Sequence, residues 1–169
     1  MDDRLLGIYL NDHLAGATAG LELARRSHGR NGDGTLGTAL GRLAEEIEED
    51  RQSLVGVMQR LSVQTNVAKT SFAWLAERVG RLKLNGHLLS YSPLSRVEEL
   101  EALRLGVEGK LCLWLTLKDA RATDPRLEGV DLDELARRAE SQRDELETLR
   151  IAAARKAFGA PRPQKRSRP

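Results

Sequence analysis

The chain has 169 residues, of which 40% are hydrophobic and 31% are charged, and its formal net charge is +2. This length fits one domain with a substantial core. The composition is far from the low hydropathy and high net charge of disordered chains. The nearly balanced charge points to no strongly charged partner. The basic residues are 6 Lys and 21 Arg, which with the many Ala, Gly and Leu residues indicates a GC-rich bacterial genome.

Three features of the sequence indicate a cytoplasmic protein. Cys112 is the only cysteine, so no intrachain disulfide can form, and its apolar neighbours predict a buried thiol. The acidic start at residues 1–4 argues against a signal peptide. The longest apolar run, residues 111–115, is far shorter than the ~20 residues of a membrane span. We therefore expect no contact with a membrane.

The first half of the chain predicts an antiparallel pair of helices. The first should run from about Asp3 to His28 and end in a turn at residues 29–34, where glycines and an asparagine tolerate positive φ. The second should run from Thr35 to about Leu61. Because the connection is short, the two helices should be antiparallel neighbours. The small residues 16–20 of the first helix predict close packing against a neighbour.

A third, shorter helix is predicted by one apolar stripe and a C-terminal Asn85-Gly86 stop. The residues of that stripe are Ala68, Phe72, Leu75, Val79 and Leu82. After a loop at residues 87–94, Ser95 and Glu98 form a capping-box pattern that should open the fourth helix. Asp131 should open the fifth helix.

The last eleven residues differ from the rest of the chain. Residues 159–169 contain prolines and basic side chains but no apolar period, so we expect a disordered basic tail. Residues 1–158 then form one helical domain. No segment alternates with a period of two over the length of a strand, so we expect no sheet.

Three of the predicted helices each interrupt an apolar stripe with one polar residue near the middle. These residues are His13 in the first helix, Asp50 in the second and Gln142 in the fifth. Their distances along the helices from the connecting turns are similar, so they should lie at the same level of the bundle. Glu46 and Glu108 should lie at that level too. The candidate buried polar layer therefore contains His13, Glu46, Asp50, Glu108 and Gln142. Because buried charges must be paired, we expect a hydrogen bond between His13 and Asp50.

The helix order, the long connection before the fourth helix and the mid-bundle polar layer resemble the ferritin-like superfamily over roughly residues 3–158. This resemblance implies an all-α, ferritin-like four-helix bundle with one additional short crossover helix. Di-iron members take one Glu from each of two helices and Glu-x-x-His from each of the other two. Here Glu46 is followed by Glu49, and Glu140 by Arg143. We therefore predict no metal and no other cofactor.

The fourth helix is apolar almost all round between residues 111 and 117. A helix that is apolar on every side must be covered on every side. Val107 and Trp114 belong to the apolar stripe that faces the other helices of the bundle, which we call the seam. We expect Leu113 and Leu117 to lie on the opposite side of the helix, where the third helix or a second subunit would cover them. The two alternatives predict a monomer and a homodimer, respectively.

Three functions are compatible with the sequence. The first is a metal-free, non-enzymatic bundle that acts as a structural or protein-interaction module, with a homodimer or another protein as its partner. The second is a metal-binding protein or oxidoreductase that uses the carboxylates and His13 of the polar layer. The third is nucleic-acid association through the tail, which the lack of a basic stripe on the helices disfavours. No catalytic residues and no small-molecule ligand are indicated.

Overall fold

The computed structural model describes residues 2–65 and 91–159. Within these ranges the chain forms no strand, and the all-α prediction is confirmed. The helices are α1 (Asp3–Asn31), α2 (Thr35–Arg60), α3 (Pro93–Ala120) and α4 (Leu132–Phe158), with a 3₁₀ turn at Pro125–Leu127. The helix predicted at residues 68–82 and the tail from residue 160 onward lie outside the described residues.

The turn between α1 and α2 begins three residues later than expected, because α1 continues past His28 to Asn31. Gly32 then reverses the chain with a φ of 60°, in the region that favours glycine. Its N–H donates to the carbonyl oxygen of His28 at 3.2 Å. Nδ1 of His28 in turn donates to the carbonyl oxygen of Gly37 at 2.8 Å, so one side chain ties the end of α1 to the start of α2.

The prediction that Ser95 opens the fourth helix was wrong. That helix is α3, which begins at Pro93 with Ser92 as its N-cap, and Oγ of Ser92 accepts a hydrogen bond from the Ser95 N–H at 3.1 Å. Proline suits the first helical position, because its φ is already helical and its missing N–H would have no partner there. The cap of α4 is the predicted one: Oδ1 of Asp131 accepts from the Glu134 N–H at 2.9 Å.

The helices form two antiparallel pairs, α1 with α2 and α3 with α4, as the short connections predicted. α1 and α3 also run antiparallel. The hydroxyl of Tyr9, near the start of α1, lies 3.4 Å from the hydroxyl of Thr116, near the end of α3. At the opposite end of the bundle, Asn31 of α1 accepts a hydrogen bond from Arg96 of α3. α2 and α3 are therefore parallel, and α3 begins at the end of the bundle opposite to the one where α2 ends.

Arg126, in the connection between α3 and α4, closes the end of the bundle where α2 ends. It bonds Asp124 through Nε at 2.9 Å and Asp3 of α1 through a terminal nitrogen at 2.7 Å. It also donates to the carbonyl oxygen of Leu61 at 3.3 Å. One guanidinium thus joins the start of α1, the end of α2 and the 3₁₀ turn.

The core runs the length of the bundle and corrects one prediction about α3. Leu113 and Leu117, which were expected to be covered by the third helix or a second subunit, are 2% and 0% exposed within the hydrophobic core. The predicted third helix lies outside the described residues, so the choice between these two covers stays a prediction. The exposed apolar side chains of this helix include Leu105 and Leu115. Cys112, whose thiol was predicted to be buried, is exposed as well. No helix in the described part of the chain is long and apolar enough to cross a membrane.

The position of the α3 cap is testable with two serine substitutions. Ser92→Ala should lower the free energy of unfolding by about 1 kcal/mol, because the first turn of α3 loses its side-chain acceptor. Ser95→Ala is the matched control and should cost less, since the Ser95 hydroxyl bonds only the Ser92 hydroxyl, at 3.0 Å, whereas the capped group is the Ser95 amide. Chemical denaturation followed by circular dichroism measures both, and a larger loss for Ser95→Ala would contradict this cap.

Candidate functional site

In the middle of the bundle, one carboxylate joins three helices. Asp50 of α2 is 2% exposed. Its Oδ2 accepts from the ammonium of Lys110 on α3, and its Oδ1 accepts from the guanidinium of Arg138 on α4. Nε2 of Gln142, also on α4, lies 3.3 Å from Oδ2 and donates to it. Each oxygen of this buried carboxylate therefore has a cationic partner.

The side-chain amide of Gln142 connects Lys110 of α3 to Glu46 of α2. Its Oε1 accepts from the Lys110 ammonium, and its Nε2 also donates to Glu46 of α2 at 2.9 Å. With an exposure of 1%, the amide is fully enclosed and uses both of its ends. We refer to Glu46, Asp50, Lys110, Arg138 and Gln142 as the ion layer.

The charges of the ion layer depend on one another. Arg138 also pairs with Glu49 at 3.0 Å, so it neutralises two carboxylates of α2. Burial lowers the pKa of Lys110, and the negative charge and hydrogen bond of Asp50 oppose that shift. Removing one partner from a buried pair leaves an uncompensated charge, which is far more costly than removing both.

The structure brings together three of the five residues of the predicted polar layer: Glu46, Asp50 and Gln142. Glu108 does not join them, because its side chain is 44% exposed and lies 3.9 Å from Arg143 at the surface. The expected hydrogen bond between His13 and Asp50 is also not formed among the described residues. The carboxylate is bonded to Lys110, Arg138 and Gln142 instead.

Sequence reasoning missed the two cations of the ion layer. Lys110 follows Val107 by three residues and so lies on the same face of α3, a spacing that could have placed it near the seam. Arg138 adjoins Ala139, a seam position of α4. Lysine and arginine are usually assigned to the surface, yet their long aliphatic stems allow the charged group to reach a buried partner.

A cavity of about 290 Å³ adjoins the ion layer between α1, α2 and α3. Asp50 and Lys110 form part of its wall, and most of the remainder is apolar. At four glycines in this wall, an added Cβ would meet no atom of the described residues within 4 Å: Gly16, Gly20, Gly106 and Gly109. The glycines of α1 therefore make no close contact with a helix among residues 2–65 and 91–159, and their close packing against a neighbour stays a prediction.

The cavity wall is mostly apolar, but besides Asp50 and Lys110 it includes the ionisable residues Asp12, His13 and Arg51. Burial lowers the pKa of His13, and the charge of Asp12 opposes the shift. The His13 ring makes an edge contact with Tyr9, with 4.5 Å between ring centroids. Trp114 is 1% exposed, and its Nε1 has no hydrogen-bond acceptor among the described residues. Lys110 is bonded to Asp50, and Arg51 is bonded to Glu48 at 2.8 Å, so this mostly apolar wall is better suited to enclosing an apolar group than to acid–base chemistry.

A second buried carboxylate, Glu99, holds the start of α3 against the end of α1. It is 6% exposed and accepts from Ser27 at 2.7 Å, Arg30 at 2.6 Å and Tyr91 at 3.1 Å. The Arg30 and Arg96 guanidinium carbons lie 5.5 and 5.3 Å from the centre of the Tyr91 ring. Burial raises the pKa of Tyr91. The sequence did not predict this cluster, because Glu99 lies next to the seam residue Leu100 and does not itself interrupt an apolar stripe.

The ion layer should show strong coupling in a double-mutant cycle. Asp50→Leu should lower the free energy of unfolding by about 3–5 kcal/mol, because the buried Lys110 ammonium loses its counter-charge. Adding Lys110→Met should recover more than half of that loss. Asp144→Leu, at a carboxylate that is 71% exposed, is the matched control and should have little effect. Simple additivity of the Asp50 and Lys110 substitutions in denaturation experiments would contradict the coupling.

The burial of His13 predicts a dependence of stability on pH. Its pKa is lowered from 6.5 in the folded protein, so below pH 6.5 the unfolded chain binds the proton more readily. The free energy of unfolding should therefore decrease as pH falls through this range, and His13→Leu should remove part of the decrease. NMR titration of the His13 ring protons gives the pKa directly. A value at or above 6.5 would show that the ring is not desolvated.

Among residues 2–65 and 91–159, no group of three or more His, Cys, Asp or Glu side chains is placed to hold a metal ion. Comparisons of the chain with protein-family models, with curated proteins and with solved structures found no significant match. The ion layer and the cavity are thus the features from which a function can be inferred.

Proposed function

We propose that this chain is a ferritin-like four-helix bundle in which protein cations replace a metal centre, and that it acts as a structural or protein-interaction module. The parallel course of α2 and α3 supports this assignment, because two antiparallel pairs joined by one long crossover are the ferritin-like connectivity. The position of the ion layer, halfway along the bundle, also supports it.

One observation carries the proposal: the Lys110 ammonium donates to both Asp50 and Gln142 in the middle of the bundle. In di-iron members of the superfamily, carboxylates and histidines project into this region to bind metal. A divalent cation at Asp50 would have to displace the ammonium and the Arg138 guanidinium and leave both without their partner. The two cations therefore supply the positive charge that a metal would otherwise contribute.

The ion layer has a structural role of its own. Buried polar residues can fix the register of packed helices, as a single buried Asn does in coiled coils. Here Asp50 on α2 must face Lys110 on α3 and Arg138 on α4 at the same time. A shift of one helix by one turn, ~5.4 Å, would break at least one of these ion pairs. A module with such a layer presents its outer surfaces in one fixed arrangement.

The interaction part of the proposal concerns a second copy of the chain or a different protein. Static light scattering separates the two, because the chain has a mass of 18.7 kDa. Twice that mass at working concentrations would identify a homodimer. A single-chain mass would direct the search to a different protein.

The metal-free interpretation predicts the outcome of metal loading. After incubation with Fe(II) or Mn(II) and desalting, the protein should retain far less than one ion per chain, and its melting temperature should not change with a chelator. Asp144→Asn is the control for adventitious binding at an exposed carboxylate. Stoichiometric metal that survives the chelator and is lost in Asp50→Asn would overturn the proposal and favour a metal-binding protein.

A further inference from the structure

The four helices form two hairpins, and the closest helix packing lies within each hairpin. We call α1 and α2 (residues 3–60) the N-terminal hairpin and α3 and α4 (residues 93–158) the C-terminal hairpin. Between the hairpins, the backbones of α2 and α4 approach each other at only a few points. Long polar side chains reach across between these two helices: Arg42 bonds Glu145, Glu46 bonds Gln142, and Glu49 bonds Arg138.

The ion layer is divided by charge between the two hairpins. Its carboxylates, Glu46 and Asp50, lie on α2, and so does Glu49, which pairs with Arg138 at 3.0 Å. Its cations, Lys110 and Arg138, lie on α3 and α4. The buried charge of Asp50 is therefore balanced by side chains of the other hairpin.

The contacts at the two ends of the bundle also join one hairpin to the other. Glu99 of the C-terminal hairpin accepts from Ser27 at 2.7 Å and from Arg30 at 2.6 Å, both on the N-terminal hairpin. Arg126, between α3 and α4, donates to Asp3 of α1 at 2.7 Å. One hydrophobic cluster contains side chains from all four helices. The two hairpins thus meet as two protein partners do, through an apolar core with complementary charges.

The N-terminal and C-terminal hairpins are joined by one connection, which includes residues 66–90. A chain of that many residues can span at most about 80 Å. α2 has 26 residues and is therefore about 39 Å long, at ~1.5 Å of rise per residue. The length of the connection thus allows the C-terminal hairpin to pair with the N-terminal hairpin of its own chain or of a neighbouring chain.

We propose that this chain forms a homodimer by exchange, in which the N-terminal hairpin of each copy pairs with the C-terminal hairpin of the other. This inference rests on the proposed function, since it names the partner and the surface that the partner binds. Exchange keeps every contact between hairpins and changes only the chain that supplies it, which makes it a low-cost route to a dimer. Each ion layer then takes Asp50 from one chain and Lys110, Arg138 and Gln142 from the other.

Cross-linking between two different variants tests the exchange. One chain carries Arg42→Cys and the other carries Glu145→Cys, both together with Cys112→Ser, and the two chains are produced in the same cells. These positions pair between α2 and α4, so a short bismaleimide should join two chains in an exchanged dimer. Arg25→Cys with Glu48→Cys is the matched control, because these side chains lie 3.7 Å apart within the N-terminal hairpin.

The outcomes of this experiment separate the exchange from the proposed function. A covalent product of twice the 18.7 kDa chain mass in the first mixture, and not in the control, would support the exchange. A dimer by light scattering whose two mixtures give equal yields of that product would overturn the exchange and leave an ordinary homodimer. A single-chain mass without the product would overturn both the exchange and the homodimer.

A charge reversal gives an independent readout. Asp50→Lys in one chain and Lys110→Glu in another each bring like charges together, so each variant alone should melt at a lower temperature than the wild type. When the two are produced together, exchange places both substituted positions in one bundle, where opposite charges meet again, and the original pair in the other. The heterodimer should therefore melt at a higher temperature than either variant, and the chain that carries both substitutions is the control for the reversed pair. Melting only at the temperatures of the two separate variants would contradict the exchange.

Discussion

The bundle depends on the neutralisation of one buried charge. Asp50 is 2% exposed and lies between the buried Ile47 and Leu54 of α2, and an ionised carboxylate that is buried costs several kcal/mol unless it is paired. The pairing comes from two different helices, Lys110 on α3 and Arg138 on α4, and Gln142 completes it. The apolar stripes alone tolerate sliding of one helix along another, because a leucine can replace a leucine one turn away. The ion layer removes that freedom.

The two ends of the bundle are fixed by the same kind of contact. At one end Glu99 accepts hydrogen bonds from Ser27, Arg30 and Tyr91, and at the other Arg126 bonds Asp3 and Asp124. Each cluster joins elements that are far apart in the sequence. α1 is a member of both clusters but contributes no side chain to the ion layer. It is held at its ends, and the cavity lies along its middle.

The fold could be predicted further than the site, for physical reasons. Apolar period and helix-end signals are local, so the four described helices and the antiparallel pairs could be predicted. The end of α1 was placed three residues too early, and the start of α3 was misplaced because Pro93 was taken for a loop residue. Asp50 and Gln142 stood out as polar breaks in apolar stripes. Lys110 and Glu99 did not, because each lies beside a seam position, and burial there depends on which helices flank α3. Which helices flank α3 is a property of the tertiary structure, and the apolar stripe of one helix does not contain it.

The four glycines in the cavity wall lower the intrinsic stability of the two helices that contain them, α1 and α3. Glycine in a helix interior is less favourable than alanine by about 0.8–1.0 kcal/mol, because its backbone loses more conformational freedom. An added methyl group at Gly16, Gly20, Gly106 or Gly109 would touch none of the described residues. Together they lower helix stability by roughly 3–4 kcal/mol relative to alanine. α1 and α3 are thus intrinsically weaker helices than their length suggests, and their order depends on tertiary contacts.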